Sequence, residues 1–424
     1  MFGFSEDDII DLEIEIHDSV DNYLAKYGIQ QCLPEFYKTM IDTFTKEYLE
    51  DLICIGFIEE DRSYEKLFKK FRKRVHVFVK NYFSIIGIPR RSYSNPRHQH
   101  YDVINKESVK TQIEYLQGLQ QPAQRTPEWY LFRHNLITAS NIWKAIGSVA
   151  NQNSLIFEKC KPMITESYDV NTDSSMHWGV KYEPLTVMLY EYRTKGKVGE
   201  FGCIQHSKYP FIGASPDGIV INEDSNAYGR MLEIKNVVSR EITGIPKMDY
   251  WVQMQMQMEV CDLNECDFLE TQFKEYDEID EELFYKNKHQ YLYNGVILYF
   301  IKSDFADGKP HYVYMPLDVK LNKQSISDWI DDKKRELKDT HILFKRIYWY
   351  CETYSCVLVK RNRPWFEIAL PQIKEIWDTI TKERVTGYEH RKPKKRVVSE
   401  KKCLISRAVR EETTVHDLPE ENEQ

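Results

Sequence analysis

Asp217, Glu233 and Lys235 are residues whose types and spacing could do chemistry. They sit in one stretch, GASPDGIVINEDSNAYGRMLEIKNV, at positions 213–237. Two apolar runs, 211–214 and 231–238, flank a polar segment rich in Asn, Asp, Ser and Gly, a pattern that predicts a β-hairpin with a long turn. Successive side chains on a strand point to opposite faces, so Glu233 and Lys235 share one face and Ile234 takes the other. Pairing of the two strands lets Asp217 reach the Glu233 face. Two carboxylates beside an ammonium can hold Mg²⁺, a hard cation that takes oxygen ligands and keeps several waters. The cation activates water and offsets charge on a phosphate, while the lysine orients the nucleophile or stabilises developing charge. These are the requirements of phosphodiester hydrolysis. The same residues also fit a surface hairpin with a solvated Glu/Lys pair, so the flanking stretches must decide.

Those stretches read as follows. Thr126-Pro127-Glu128 suits the start of a helix whose buried side is Trp129, Phe132 and Leu136. Arg133 lies on it and, taken alone, reads as a surface salt-bridge residue. Thr138 or Ser140 caps a second helix that runs to Ile146 and stops at Gly147. A further helix opens at His177 and continues to about Tyr192, with Glu183 in its first turn, where the macrodipole favours a carboxylate. A short strand at 201–206 precedes the hairpin. After it, 247–260 reads as a helix with Gln253 and Gln257 on one face at i, i+4, and Met254 and Met258 as core. A glutamine aimed from there at a metal site can hold water or a phosphate oxygen. Strands are expected at 266–273, 296–301 and 311–317, with a charged insert at 276–289. A long helix is expected at 325–350 and another helical segment at 363–389.

The outer parts differ in character. Residues 1–105 carry apolar residues at helical spacing through 9–23, 33–52 and 64–86. The third segment adds Lys66, Lys69, Lys70, Arg72, Lys73, Arg74 and Lys80, a basic face that suits either solvent or DNA. Residues 88–100 read as a linker, and His98 and His100 there lack a supporting Cys or carboxylate cluster. From Arg391 a basic run precedes an acidic one, which reads as a disordered tail; its 392–396 cluster suits nuclear localisation, a nucleic-acid arm or plain solubilisation. Cys261-x4-Cys266 and Cys351-x4-Cys356 could supply four zinc thiolates, but no His pattern accompanies them. The implied division is a helical domain 1–105, a central domain 106–350, a strand-helix extension 351–390 and a tail 391–424.

Composition bounds the function classes. The chain has 424 residues, 58 Lys and Arg against 66 Asp and Glu, and a net charge of −8, which argues against a broad non-specific nucleic-acid coat. Its acidic amino terminus lacks the basic and apolar regions of a signal peptide, and no apolar run of about 18 residues predicts a membrane helix. An intracellular, unsecreted protein with no membrane partner is expected. Nine scattered cysteines suit reduced thiols.

Taken together, the motifs W-x3-R-x3-ITAS, W-G-x3-E, S-P-D-G, L-E-I-K and Y-x2-Q-x-Q fall in order across residues 125–260. This series resembles the bacteriophage lambda exonuclease and YqaJ-type viral recombinase family of the PD-(D/E)XK nuclease superfamily. The resemblance implies an α/β fold with a nuclease core, a mixed β-sheet flanked by helices, carrying a helical amino-terminal extension and a disordered carboxy-terminal tail. It implies a Mg²⁺-dependent, two-metal DNA exonuclease, working 5′→3′ from double-stranded ends in viral recombination or repair, with Mn²⁺ as a substitute. Asp217, Glu233, Glu183 and the Ile234 backbone carbonyl would be metal ligands. Lys235 would position or activate water, and Gln253 matches the glutamine motif. Arg133, Ser140 and Ser215 match the pocket for a 5′-phosphate, where a bidentate arginine and hydroxyl donors suit a phosphate dianion. A single-strand annealing protein is an implied partner. The lambda protein, associated with a ring-shaped trimer, lacks both extensions, so homo-oligomerisation is left open. A structure-specific or other endonuclease on the same core, and a non-catalytic DNA-end-binding scaffold, remain the alternatives.

Overall fold

A computed structural model describes residues 4–58, 63–94, 105–124, 126–163, 172, 174–277, 281–303 and 309–392. His98, His100 and the tail from 393 lie outside the described residues.

The amino-terminal part forms as its apolar spacing dictates. Helix α1 (Glu6–Tyr27) opens with a reciprocal cap in which the Ser5 side chain accepts from the Asp8 N–H and the Asp8 carboxylate accepts from the Ser5 N–H. It buries Leu12, Ile16 and Val20 against α2 (Phe36–Cys54) and α3 (Tyr64–Ile85), which contribute Phe44, Leu49, Phe71 and Val75 to the same cluster. Lys66, Lys69, Lys70, Lys73 and Lys80 of α3 lie on the exposed side. The 3₁₀ turn Gly28–Cys32 ties this bundle to the rest: its Ile29 carbonyl accepts from the Trp365 indole at 2.9 Å. A Cβ on Gly28 would stand 2.8 Å from the end of the Ile368 side chain, so the turn and the segment carrying Ile368 approach closely there.

The central elements follow in order as α4 (Lys106–Gly118), α5 (Pro127–His134), β1 (Ile137–Thr138), α6 (Val149–Cys160), α7 (Ser175–Thr194), β2 (Val198–Gly199), β3 (Ile204–Gln205), β4 (Ile212–Ala214), β5 (Gly218–Val220), β6 (Met231–Asn236), α8 (Met248–Cys261) and β7 (Glu265–Glu275). Then come α9 (Glu281–Asn287), β8 (Asn294–Lys302), β9 (His311–Tyr314), α10 (Lys323–Leu337), β10 (His341–Lys360) and α11 (Arg363–Thr386). Among the described residues these strands form a seven-stranded sheet, β2-β5-β6-β7-β10-β8-β9, and a three-stranded sheet, β1-β4-β3. In the large sheet β6 and β7 run parallel and the other neighbours antiparallel. The expected α/β architecture, a mixed sheet flanked by helices behind a helical amino-terminal part, is therefore present.

Strand β6 shows how the sheet is sandwiched. Its even positions, Leu232 and Ile234, join Tyr190 of α7 in one apolar cluster. Its odd position Met231 joins Val252 and Met256 of α8 in another. Period two thus places α7 on one face and α8 on the other. Among the described residues no helix is long and apolar enough to cross a membrane.

Four local expectations are corrected. The 211–214 run does not pair with 231–238: β4 lies beside β1 and β3 in the small sheet, and the hairpin partner of β6 is β5, with Gly218 opposite Leu232. Pro216 offers no N–H to a ladder, and the chain crosses between sheets there. The helix expected after Thr138 is instead β1 and a 3₁₀ turn, Ile142–Lys144. Asn141 explains this, since its side-chain oxygen accepts from the Thr138 N–H at 3.1 Å and hydroxyl at 3.0 Å, a local bond that competes with helix. Helix α7 starts at Ser175, capped by Ser174, so Glu183 lies mid-helix beside Pro184 rather than in a first turn. The long helix expected to Tyr350 stops at Leu337, because the β-branched and aromatic residues that follow go into β10. Position 350, where the central domain was expected to end, falls inside that strand.

Candidate active site

The site grows from β6. Glu233 is 0% exposed, and its neighbour on the same face, Lys235, brings its ammonium against the Glu233 carboxylate. A buried carboxylate costs several kcal/mol unless it is paired and hydrogen-bonded. Here α8 supplies the bonds: the Gln253 and Gln257 side-chain amides, one turn apart, donate to Glu233 Oε2 at 2.8 Å and 2.7 Å. Asp217, just before β5, is pinned across the hairpin, where its Oδ2 accepts from the Ile234 N–H at 2.7 Å and its own N–H reaches the Leu232 carbonyl at 3.3 Å. Helix α7 docks beside them through Asn236, whose amide donates to the Gly179 carbonyl at 3.1 Å and whose oxygen accepts from Thr186 at 2.7 Å. That docking brings Glu183 close enough for its charge to act on Asp217.

The electrostatics are those of crowded carboxylates. Burial first, then the Glu233 carboxylate, push the Asp217 carboxyl well above its usual range, and Glu183 adds to this while Lys235 and the Ile234 N–H oppose it. Lys235 resists a desolvation penalty because Glu233 and Asp217 hold its ammonium above the usual lysine range. A divalent cation among these oxygens would relieve the repulsion that burdens Asp217. Among the described residues no group of three His, Cys, Asp or Glu forms a ready metal cage. The Asp217 and Glu233 carboxylates are the oxygen donors a hard cation such as Mg²⁺ takes, one or two of them with water completing its shell.

A second, cationic constellation lies two residues away along the chain. Arg133, in the last turn of α5, donates to Ser215 Oγ at 3.0 Å and to Ser140 Oγ at 3.2 Å. Its guanidinium lies over the Trp129 ring, 4.2 Å from the centroid. Burial lowers its affinity for its proton, partly offset by the neighbouring Cys203. The sequence-selected residues thus assemble as two groups, with Asp217, Glu233, Lys235 and Gln253 in direct contact through β6, and Arg133, Ser140 and Ser215 in another. The i, i+4 spacing places Gln257 on the Gln253 face, but nothing in it names the carboxylate that the amide serves. The two Cys-x4-Cys pairs do not gather: Cys261 and Cys266 sit in the core between α8 and β7, and Cys351 lies in a different cluster beside Trp349. Burial pushes all of these thiols up, away from the thiolate form a zinc site needs.

Residues 128–264 match the YqaJ-like viral recombinase domain. Uncharacterized protein R354 of Acanthamoeba polyphaga mimivirus is 27% identical over 354 residues, which is 73% of this chain and 63% of that relative. This chain therefore spans under two thirds of the length of the curated relative it matches. An alkaline exonuclease (LHK-Exo) from Laribacter hongkongensis is 19% identical, with 61% of this chain and 94% of that one covered at a TM-score of 0.36. The same enzyme in complex with dAMP gives 19% identity, 61% and 94% coverage and a TM-score of 0.35. Every residue of both constellations lies between Arg133 and Gln257, within the segment, residues 128–264, that is similar to the YqaJ-like viral recombinase domain.

Proposed function

We propose that this chain is a metal-dependent DNA nuclease, acting as an exonuclease from double-stranded ends in the 5′→3′ direction. The observation that carries this reading is the two-residue separation of Ser215, in the Arg133 group, from Asp217, in the carboxylate group. A terminal phosphate held by Arg133, Ser140 and Ser215 would set a nearby phosphodiester beside the carboxylates. Asp217 and Glu233, with Glu183 and the Ile234 carbonyl, would hold Mg²⁺ in one or two positions, with Mn²⁺ as a substitute. When bound, the cation supplies charge neutralisation at the phosphate and lowers the pKa of water.

The chain's own residues divide the remaining work. Lys235, held in its charged form by Glu233 and Asp217, acts as a donor that orients the attacking water and stabilises charge on the phosphoryl oxygens, rather than as a base. Gln253 and Gln257 fix the rotamer of Glu233. Arg133 recognises the terminal dianion with paired N–H donors. Attack in line with the leaving 3′ oxygen releases a mononucleotide, and the new 5′-phosphate enters the same pocket. The uncovered strand would pass to a single-strand annealing protein in recombination or repair, in an intracellular and, by the relative, viral setting.

The test is cleavage by purified protein with Mg²⁺ of a linear duplex labelled at one end, with and without a 5′-phosphate, beside a closed circular duplex. Progressive loss from phosphorylated ends with the circle intact is expected. Cutting of the circle would move the assignment to an endonuclease, and binding without cleavage in either metal to a scaffold.

A further inference from the structure

Helix α5 presents Arg133, yet it buries no side chain fully. With Trp129 and Phe132 only half-buried, contacts at its ends add to what holds it. At its carboxyl end two cations from distant elements take the backbone carbonyls. Lys159 of α6, only 5% exposed, donates to the Arg133 carbonyl at 2.8 Å. Arg384 of α11 donates to the His134 carbonyl at 2.9 Å. The same guanidinium also takes the Lys159 carbonyl, through Nε at 3.0 Å and Nη2 at 2.8 Å. Arg384 therefore caps the carboxyl ends of α5 and α6 at once, where the last-turn carbonyls need donors and the macrodipole favours cations. It lies over Trp377, 5.5 Å from the ring centroid, and Trp377 stacks on Phe211 at 6.0 Å, immediately before β4. Strand β4 leads directly to Ser215.

From this we infer that Arg384, acting with Lys159, is a positioning residue for the Arg133–Ser140–Ser215 pocket, and that α11 sets how well the pocket recognises a terminal phosphate. Arg384 touches neither Ser140 nor Ser215; it acts through the backbone that carries Arg133 and through the aromatic pair that abuts β4. It lies well outside residues 128–264, so the carboxy-terminal helix completes a pocket whose direct donors all lie in the matched domain. The inference rests on the terminal-phosphate reading of that pocket.

The experiment measures binding of the full chain to a fluorescent blunt duplex bearing either a 5′-phosphate or a 5′-hydroxyl, in Ca²⁺, and compares the two Kd values. Wild type binds the phosphorylated duplex more tightly. Arg384→Met shrinks that preference about tenfold, within what a misplacement of about 1 Å costs, and leaves the hydroxyl Kd unchanged, which general loss of structure would not. Arg384→Lys keeps most of the preference. Should Arg384→Met fail to fold by circular dichroism, Lys159→Met carries the same expectation. If Arg133→Gln abolishes the preference while Arg384→Met and Lys159→Met retain it, the positioning role is overturned and the pocket stands. If wild type itself shows no preference, the pocket reading falls and this inference with it.

Discussion

Ser215 and Asp217 are two residues apart, but the groups they join are held in opposite ways. The carboxylate group is built on one strand and the helix after it: β6 gives Glu233 and Lys235, its Ile234 N–H pins Asp217, and α8 closes over Glu233 with two amides. The arginine group is built from a short helix end, a turn and a sheet crossing, and is backed by cations from α6 and α11. The first is locked by bonds to its own functional atoms. The second is held at its backbone as well, through the carbonyls that Lys159 and Arg384 cap, while the Arg133 guanidinium bonds the two serine hydroxyls over Trp129. The carboxylate group is thus fixed by its nearest side chains and one backbone N–H, whereas the arginine group depends in addition on a scaffold placed by distant elements.

This contrast can be broken. Asp217→Asn or Glu233→Gln is expected to lower kcat by roughly 10³-fold or more on every DNA end, since each removes a charge that the proposed cation site requires. Single-turnover rates with phosphorylated and hydroxyl ends test it, and a loss confined to one end type would contradict it. Arg133→Gln should instead raise KM about 10- to 100-fold for phosphorylated ends only, the worth of a charge-assisted hydrogen bond to an ionised group; a fall in kcat on hydroxyl ends would place Arg133 in the chemistry.

A smaller effect sharpens the carboxylate side. Gln257→Leu should weaken Mn²⁺ binding about tenfold, as loss of a partner behind a metal ligand commonly does, measured by titration calorimetry without DNA. Unchanged binding would leave Glu233 adequately held by Gln253 and Lys235 alone. The smallest expected effect concerns pH. Burial, reinforced by Arg133 and Arg384, brings Lys159 down to about 8, with Glu158 opposing. An unfolded lysine keeps its proton to about pH 10, so between these values the unfolded chain binds more protons and stability rises with pH. Urea unfolding should therefore show wild type gaining on Lys159→Met as pH rises from 8 towards 10; a constant gap would mean that Lys159 titrates normally.

The sequence made the carboxylate side legible because its parts recur at short, structure-bearing intervals: two positions on β6, four on α8, and a Pro-Asp-Gly turn. It misplaced the hairpin partner, because Phe211 to Ala214 and Gly218 to Val220 are equally apolar runs, and only the three-dimensional crossing at Pro216 decides which one β6 meets. Lys159 and Arg384 carried no signal at all. A lysine in an amphipathic helix and an arginine near a helix end look like solvated surface, and the carbonyls they cap are far away in sequence. The α10–β10 boundary was missed for a related reason, since apolar residues at mixed spacing satisfy both periods until a sheet neighbour selects one.

Strand β10 has a practical consequence. Its first half zips to β8 and its second to β7, so it is the seam of the large sheet. A fragment cut to residues 128–264 would end before β7 and leave the β6 flank as a bare row of backbone donors and acceptors. Extending it through β7 merely moves the open edge outward by one strand. Such edges template pairing with other chains, so either fragment should sediment as aggregates. A piece running through β10 has that seam closed. The boundary of the matched domain is a boundary of resemblance, not of solubility.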